Sequence, residues 1–356
     1  METSTSFSKT ELALTITNCV IAKLFLVYPS SFAASSASAG ILAAAATAAV
    51  GGGAILLTSY LYEKKRTDIS RIFKSKAFTA AVLALISIFF AFNQALFVRT
   101  VSEGLKVSIL PDSPVNFITF IFVAAALLCS HTGLKAVIRT HSFVVPFTLA
   151  MLLILTASSV KNFDIFNIFP IFGKGIESFS SVWISVSYFS DFIMLLLLMP
   201  FASKKTSYSK IAKPAFFTSA AVLIAVIGLY MLTVPYTLSD SYFIPIYKVA
   251  QYINYESFMS RLESVFTVGW LLSFIMYSSL QIYIMSMLTG RITGAKSCRK
   301  YMYFYAVLIA VLSALPENTA VLADGGGIFS AIRTVIGICL PIVLLLFPGR
   351  TEVKKK

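Results

Sequence analysis

Charged side chains are scarce in this chain. They make up 12% of its 356 residues, whereas apolar residues make up 58% and the mean hydropathy is +0.85. A water-soluble domain of this length could not cover so much apolar surface with so few charges. The composition therefore excludes a soluble protein and predicts an all-α polytopic membrane protein.

Histidine and cysteine are also rare. The two histidines, His131 and His141, stand ten residues apart with no carboxylate at ligand spacing, which argues against a metal site. The four cysteines occur singly in or beside apolar stretches, so no disulfide or metal framework is predicted. The glycine triplets at 51–53 and 325–327 lack the residues of a phosphate-binding loop, and no nucleophile motif is present. We expect no cofactor and no enzymatic activity.

Acidic residues number 15 against 29 basic ones, which gives a net charge of +14. Such an excess can indicate nucleic-acid binding, but here most basic residues stand in short loops between apolar stretches. Their distribution is better explained by orientation in the membrane, since cytoplasmic loops are rich in lysine and arginine. It predicts that both termini are cytoplasmic and that residues 351–356 form a basic cytoplasmic tail.

Long apolar stretches dominate what remains. A sliding window of about 19 residues predicts ten spans within a single membrane domain, 1–356. Cutting the chain after the fifth span gives two repeats, about 12–160 and 175–347. Because five is odd, the repeats would have opposite orientation, as in many secondary transporters. The predicted spans lie near 12–32, 37–60, 77–98, 115–134, 137–160, 175–201, 215–235, 264–288, 301–316 and 325–347.

The inverted-repeat plan predicts that the first span of each repeat is broken near the middle of the membrane. In the first span we expect the break at 27–31, where Pro29 removes a backbone donor and restrains Tyr28. In the sixth span we expect it at the serine-rich centre, 185–191. This centre ends in Asp191, and an acid at such a depth normally marks function. Asp191 could instead be a helix cap or a satisfied structural acid.

The longest outer segment, 237–261, interleaves aromatic and polar residues. This pattern predicts short helices that lie across an extracellular mouth. They could act as a lid, or they could be an interfacial helix with an ordinary aromatic belt.

Several short motifs, in order along most of the chain, give it a family resemblance. The chain resembles the B subunit of spore germinant receptors, the endospore germination permeases of the amino acid/polyamine/organocation transporter superfamily. The motifs that carry the resemblance are Leu110–Pro114 (LPDSP), Gly133–Arg139 (GLKAVIR), Phe169–Gly175 (FPIFGKG), Tyr188–Asp191 (YFSD) before Pro200, and Phe258–Glu263 (FMSRLE) before Trp270.

The resemblance implies ten transmembrane helices in a leucine-transporter-like 5+5 inverted repeat. It also implies a place in the spore inner membrane, an A subunit and a lipoprotein C subunit as partners, and nutrient sensing, commonly of amino acids. Two departures concern the ligand. The family usually has glycine in the first break, where this chain has Tyr28-Pro29-Ser30-Ser31, and tends to carry Glu in place of Asp191.

An amino-acid ligand would need partners for both its carboxylate and its ammonium group. Exposed amides and carbonyls at broken helices can supply them, and Asp191 could receive the ammonium or hold the break open. Polar residues of the third and eighth spans could line the same cavity or simply join helices by hydrogen bonds. The predicted ligand-binding residues are Tyr28, Ser30, Ser31, Ser187, Tyr188, Ser190 and Asp191 at the breaks, with Asn93, Gln94, Tyr277 and Gln281.

Two basic residues fall inside predicted spans. Lys23 stands about 11 residues into the first span, roughly 16 Å deep at 1.5 Å per residue. We expect its ammonium either to occupy the place of a coupling sodium ion, paired with Asp191, or to lie near the inner surface if the span starts later. Arg333 is closer to an outer end and is expected to reach outward.

Three functions fit these features. The chain could be a receptor subunit that binds a small nutrient and signals to its partners. It could be an active amino acid or amine carrier. It could also be an assembly subunit that binds no ligand.

Overall fold

The computed structural model describes residues 6–26, 28–65, 75–203, 206–241, 244–253, 262–295, 297–316 and 326–346. These residues are helical apart from turns and one isolated bridge between Phe7 and Ala202. Seven of their helical stretches are long and apolar enough to cross a membrane. The predicted tail, 351–356, lies outside the described residues.

The described helices group into the ten predicted spans. The third is about ten residues longer at its C-terminal end than the sequence indicated, and the ninth is short as expected. The spans are Lys9–Ile21 with Tyr28–Ser36, Gly40–Lys65, Lys76–Ser108, Val115–His131, Leu134–Ser159, Gly175–Phe201 in several short helices, Tyr208–Thr233, Leu262–Thr293, Arg299–Ala314, and Gly326–Thr334 continued by Val335–Cys339 and Leu340–Leu346.

The first span is broken, but earlier than predicted. Its first helix ends at Ile21, residues 22–26 form turns, and its second helix starts at Tyr28. Pro29 is therefore the second residue of a helix, where its missing N–H removes no helical hydrogen bond. The prediction of a break at 27–31 was wrong by about five residues, and Lys23 lies inside the break.

The sixth span changes its helical type at its centre without unwinding. Val182–Ser185 is α-helical, Val186–Phe192 is a 3₁₀ helix, and Ile193–Leu198 is α-helical again. The predicted interruption at 185–191 is thus a tightened helix with poorer hydrogen-bond geometry. Such stretches often mark hinges or functional sites.

The spans pack in two groups. The first, second, sixth, seventh and tenth spans contact one another and form what we call the core group. The third, fourth, fifth, eighth and ninth spans form the frame group. The first span also packs on the fifth and eighth, so it lies at the boundary between the groups.

The described part of the outer segment 237–261 contains two short helices. Tyr236–Ser241 is a 3₁₀ helix that packs on the second helix of the first span, and Pro245–Gln251 is an α-helix with a buried apolar side. The segment therefore contains short helices, as the sequence predicted, and both of them contact the second helix of the first span. Their place across an extracellular mouth stays a prediction. A lid function stays a prediction, and residues 242–243 and 254–261 lie outside the described residues.

The tenth span has an irregular turn directly against the sixth. Its π-helical stretch, Val335–Cys339, packs on the 3₁₀ helix Val186–Phe192. A side chain at Gly337 would come within 2.6 Å of the Ser190 Cα and 2.7 Å of its carbonyl oxygen. Glycine at this position therefore lets the two irregular segments approach backbone to backbone.

We expect Gly337→Ala to destabilise the protein because its methyl group would meet backbone atoms that cannot move aside. Overpacking of this kind costs about 1–3 kcal/mol, which should lower the thermal unfolding midpoint of detergent-purified protein. Gly327→Ala is the matched control, since a side chain there meets no atom within 4 Å. Equal midpoints for the two variants would contradict the proposed close approach.

Candidate ligand-binding site

A buried ion pair joins the two irregular spans. The Nζ of Lys23, in the break of the first span, contacts the Asp191 Oδ2 in the 3₁₀ helix of the sixth, and both side chains are almost fully buried. Lys23 also donates to the Tyr188 carbonyl oxygen at 3.4 Å. The inner-surface alternative for Lys23 does not fit this burial. The role of Lys23 as an ion substitute stays a prediction.

Tyr277 connects this ion pair to the frame group. Its hydroxyl donates to the Asp191 Oδ1 at 3.5 Å and accepts from Gln281 Nε2 at 3.1 Å and from Asn93 Nδ2 at 3.3 Å. All four side chains are buried. The structure therefore brings Asn93 of the third span and Tyr277 and Gln281 of the eighth span together around Asp191 of the sixth.

Gln94 belongs to a neighbouring link between the third and eighth spans. Its Nε2 donates to the Ser278 Oγ at 2.6 Å, and the Ser278 hydroxyl donates to the Phe274 carbonyl oxygen. This pattern fits the alternative of a hydrogen bond that holds helices together.

The structure brings only some of the serines and tyrosines predicted at the breaks together. The Tyr28 ring packs edge-on against the Tyr188 ring, with 5.5 Å between the ring centres. Ser187 and Ser190, which are close to Tyr188 in the sequence, are also buried. Ser30 is half-buried, whereas Ser31 is exposed on the helix surface. The geometry therefore groups Tyr28 with the sixth-span residues and leaves Ser31 apart.

Several of these buried polar atoms lack a hydrogen-bond partner among the described residues. An unsatisfied buried donor or acceptor costs about 1–3 kcal/mol, so each such atom calls for an explanation. They are the Tyr28 hydroxyl, the Ser187 and Ser190 Oγ atoms, and the Gln94 and Gln281 Oε1 atoms.

Sequence reasoning missed three residues that support the break. The Trp270 indole Nε1 donates to the Ala22 carbonyl oxygen at 3.1 Å, where the first helix has just ended. Asn18 exchanges two hydrogen bonds with Ser273, one to its carbonyl and one from its hydroxyl. Both Asn18 and Trp270 are conspicuous in apolar spans, and that signal could have suggested a role at the break.

Arg333 lies beside the third span. Its guanidinium Cζ lies 5.0 Å from the ring centre of Phe97, and Lys23 Nζ lies 5.7 Å from the same ring centre. That Arg333 reaches outward stays a prediction. Phe97 is thus a common neighbour of both cations.

The sequence of the chain matches a known protein family. A family model described as spore germination protein (spore permease) matches residues 6–321. The chain belongs to this family. It is a germination-related, multi-pass membrane protein of a permease-like family.

Two curated proteins of Bacillus subtilis (strain 168) are similar to the chain. Spore germination protein B2 is 28% identical over 134 residues, 36% of each chain. Spore germination protein A2 is 25% identical over 231 residues, 62% of this chain and 60% of the relative. The matches thus span less than two thirds of these relatives.

A solved structure shows the fold. Mhp1, a transporter of the nucleobase-cation-symport-1 family in a closed conformation with bromovinylhydantoin bound, superposes with a TM-score of 0.67 at 12% identity. The match covers 96% of this chain and 78% of Mhp1. The fold is therefore the leucine-transporter-like 5+5 inverted repeat that the sequence predicted.

We expect Asp191→Asn and Lys23→Met each to destabilise the protein, because either leaves a buried charge without its partner. Breaking a buried pair in this way costs about 3–5 kcal/mol. The double variant should be more stable than the sum of the single effects predicts. Thermal unfolding of the four purified proteins measures this coupling. Strictly additive losses would mean that the two charges do not stabilise each other.

Proposed function

We propose that the chain is a nutrient-sensing subunit of a spore germinant receptor. It binds a small nutrient, an amino acid in the first instance, at the boundary between core and frame groups. Binding then triggers germination through an A subunit and a lipoprotein C subunit in the spore inner membrane, with both chain termini cytoplasmic. The chain performs no catalysis in this role.

The observation that carries the proposal is the buried ion pair of Lys23 and Asp191 within a polar cluster of unsatisfied side-chain atoms. In a membrane interior such groups are retained at a cost in stability, and they mark sites that bind or conduct. Their location at the first and sixth spans of a transporter-like fold supports a binding site for a small molecule.

The mechanism requires only that the ligand bind one arrangement of the two groups better than another. Tyr277 connects Asp191 in the core group to Asn93 in the frame group. A ligand that competes for these partners would shift the position of one group against the other. The short helices of the outer segment pack on the first span, so the same shift would move them as well.

We expect Tyr277→Phe to weaken the nutrient response of spores that carry the chain with its partner subunits. In the proposal the Tyr277 hydroxyl is one of the groups that the ligand binds. Losing a hydrogen bond to a charged ligand group costs about 1.5–3 kcal/mol, so the half-maximal nutrient concentration should rise about tenfold or more. The measurement is germination across a panel of amino acids and other nutrients, with immunoblots for subunit level.

Tyr305→Phe is the matched control for this experiment. The Tyr305 hydroxyl is hydrogen-bonded to Thr289 at 2.6 Å, within the frame group and away from Asp191. Its removal should leave the nutrient response unchanged. An unchanged response of Tyr277→Phe spores at normal protein level would refute a sensing role for this cluster.

The likeness to a transporter favours one alternative, an active amino acid or amine carrier. Vesicles reconstituted with the purified chain separate the two functions. A sensor should bind its nutrient without accumulating it, under ion gradients of either direction. Net uptake above protein-free vesicles would favour the carrier instead.

A further inference from the structure

The charges around the candidate site do not balance. Lys23 and Asp191 neutralise each other, and Arg333 adds a second cation beside Phe97. In the part of the chain that the structure describes, Arg333 has no carboxylate within ion-pair distance. The site therefore holds one net positive charge.

The guanidinium group of Arg333 is only partly used. Its Nη2 donates to the Ser330 Oγ at 2.9 Å, one turn earlier in the same span. Its Nε is buried and has no hydrogen-bond partner among the described residues. A guanidinium offers five donors in a planar fork that suits a carboxylate, and the buried Nε–H is a donor that a ligand can use.

Arg333 belongs to the same site as the ion pair. Its guanidinium and the Lys23 ammonium approach the same ring, that of Phe97, at 5.0 and 5.7 Å from the ring centre. It enters from the tenth span, whose π-helical stretch packs directly on the sixth at Gly337 and Ser190. Its contact with Phe97 also places it at the boundary between the core and frame groups.

We propose that Arg333 anchors the carboxylate of the ligand and that the site does not require the ligand's ammonium group. This inference rests on the proposed function. Asp191 is already neutralised by Lys23, so an incoming ammonium would have to displace a tethered one. The substrate class is therefore small carboxylates, amino acids among them. This differs from the sequence-based hypothesis in which Asp191 receives the ammonium.

The test compares chemical forms of one ligand on the purified full chain. A panel of the standard amino acids is first screened for an increase in thermal unfolding midpoint. Each amino acid that stabilises the protein is then tested as its carboxamide and as the corresponding acid without the amino group. Arg333→Gln is titrated with the same compounds.

Arg139→Gln is the matched control. Arg139 lies in the fifth span, its side chain is 60% exposed, and its partner Glu11 is 3.5 Å away. Its replacement should leave all affinities unchanged. Ligand-free midpoints of each variant show whether it is folded.

We expect the affinities of wild-type protein for the amino acid and for the acid without the amino group to agree within about threefold. Its affinity for the carboxamide should be about tenfold or more lower, as expected for loss of one charged hydrogen bond. Arg333→Gln should bind all three forms as weakly as wild type binds the carboxamide. If Arg333→Gln does not fold, the three forms on wild-type protein decide alone.

Two results would overturn the anchor while leaving the proposed function intact. One is equal binding of acid and carboxamide by wild-type protein, and the other is unchanged affinity in a folded Arg333→Gln variant. If wild-type protein does not bind the acid without the amino group, the claim that the site does not require the ammonium group is wrong. If no compound stabilises wild-type protein, both the anchor and the proposed binding function fail.

Discussion

The contact between Lys23 and Asp191 is the constraint on which the centre of the structure depends. Each charge alone would be strongly unfavourable in an apolar interior, so each makes the other tolerable. The pair also fixes two irregular backbones against each other. Lys23 stands in a break whose Ala22 carbonyl is bonded by Trp270, and Asp191 stands in a 3₁₀ helix whose Tyr188 carbonyl accepts from Lys23. Local backbone irregularity and buried charge therefore stabilise one another.

Lys23 and Asp191 both lie in the core group, whereas the hydrogen bond that Asp191 accepts from Tyr277 crosses to the frame group. Tyr277 is a frame residue that donates to Asp191 and accepts from Asn93, and Phe97 is a frame residue that contacts both cations. A change in the charge or occupancy of this cluster therefore acts on the boundary between two packed groups. Packed groups of this kind have discrete arrangements, so a small local change can select between positions of whole spans.

The sequence was sufficient for the fold because long apolar stretches and basic loops are properties of single segments. It also indicated the spans that form the site, since Asp191, Asn93, Tyr277 and Gln281 are polar residues in apolar surroundings. It did not locate the first break, because proline is disfavoured inside a helix but acceptable in its first turn. It did not show that Arg333 contacts Phe97 of the third span, since depth along a span does not fix the direction of a side chain.

A tethered ammonium has a thermodynamic consequence that a bound ion does not. Lys23 is covalently part of the chain, so its local concentration is fixed and cannot follow an ion gradient. Under the proposed function, ligand binding is then an equilibrium set by nutrient concentration and by the difference in affinity between two arrangements of the groups. A gradient-driven carrier needs an ion that enters and leaves, whereas a sensor needs only this difference. Under the proposed function, the ion pair of Lys23 and Asp191 supplies its positive charge without an ion gradient.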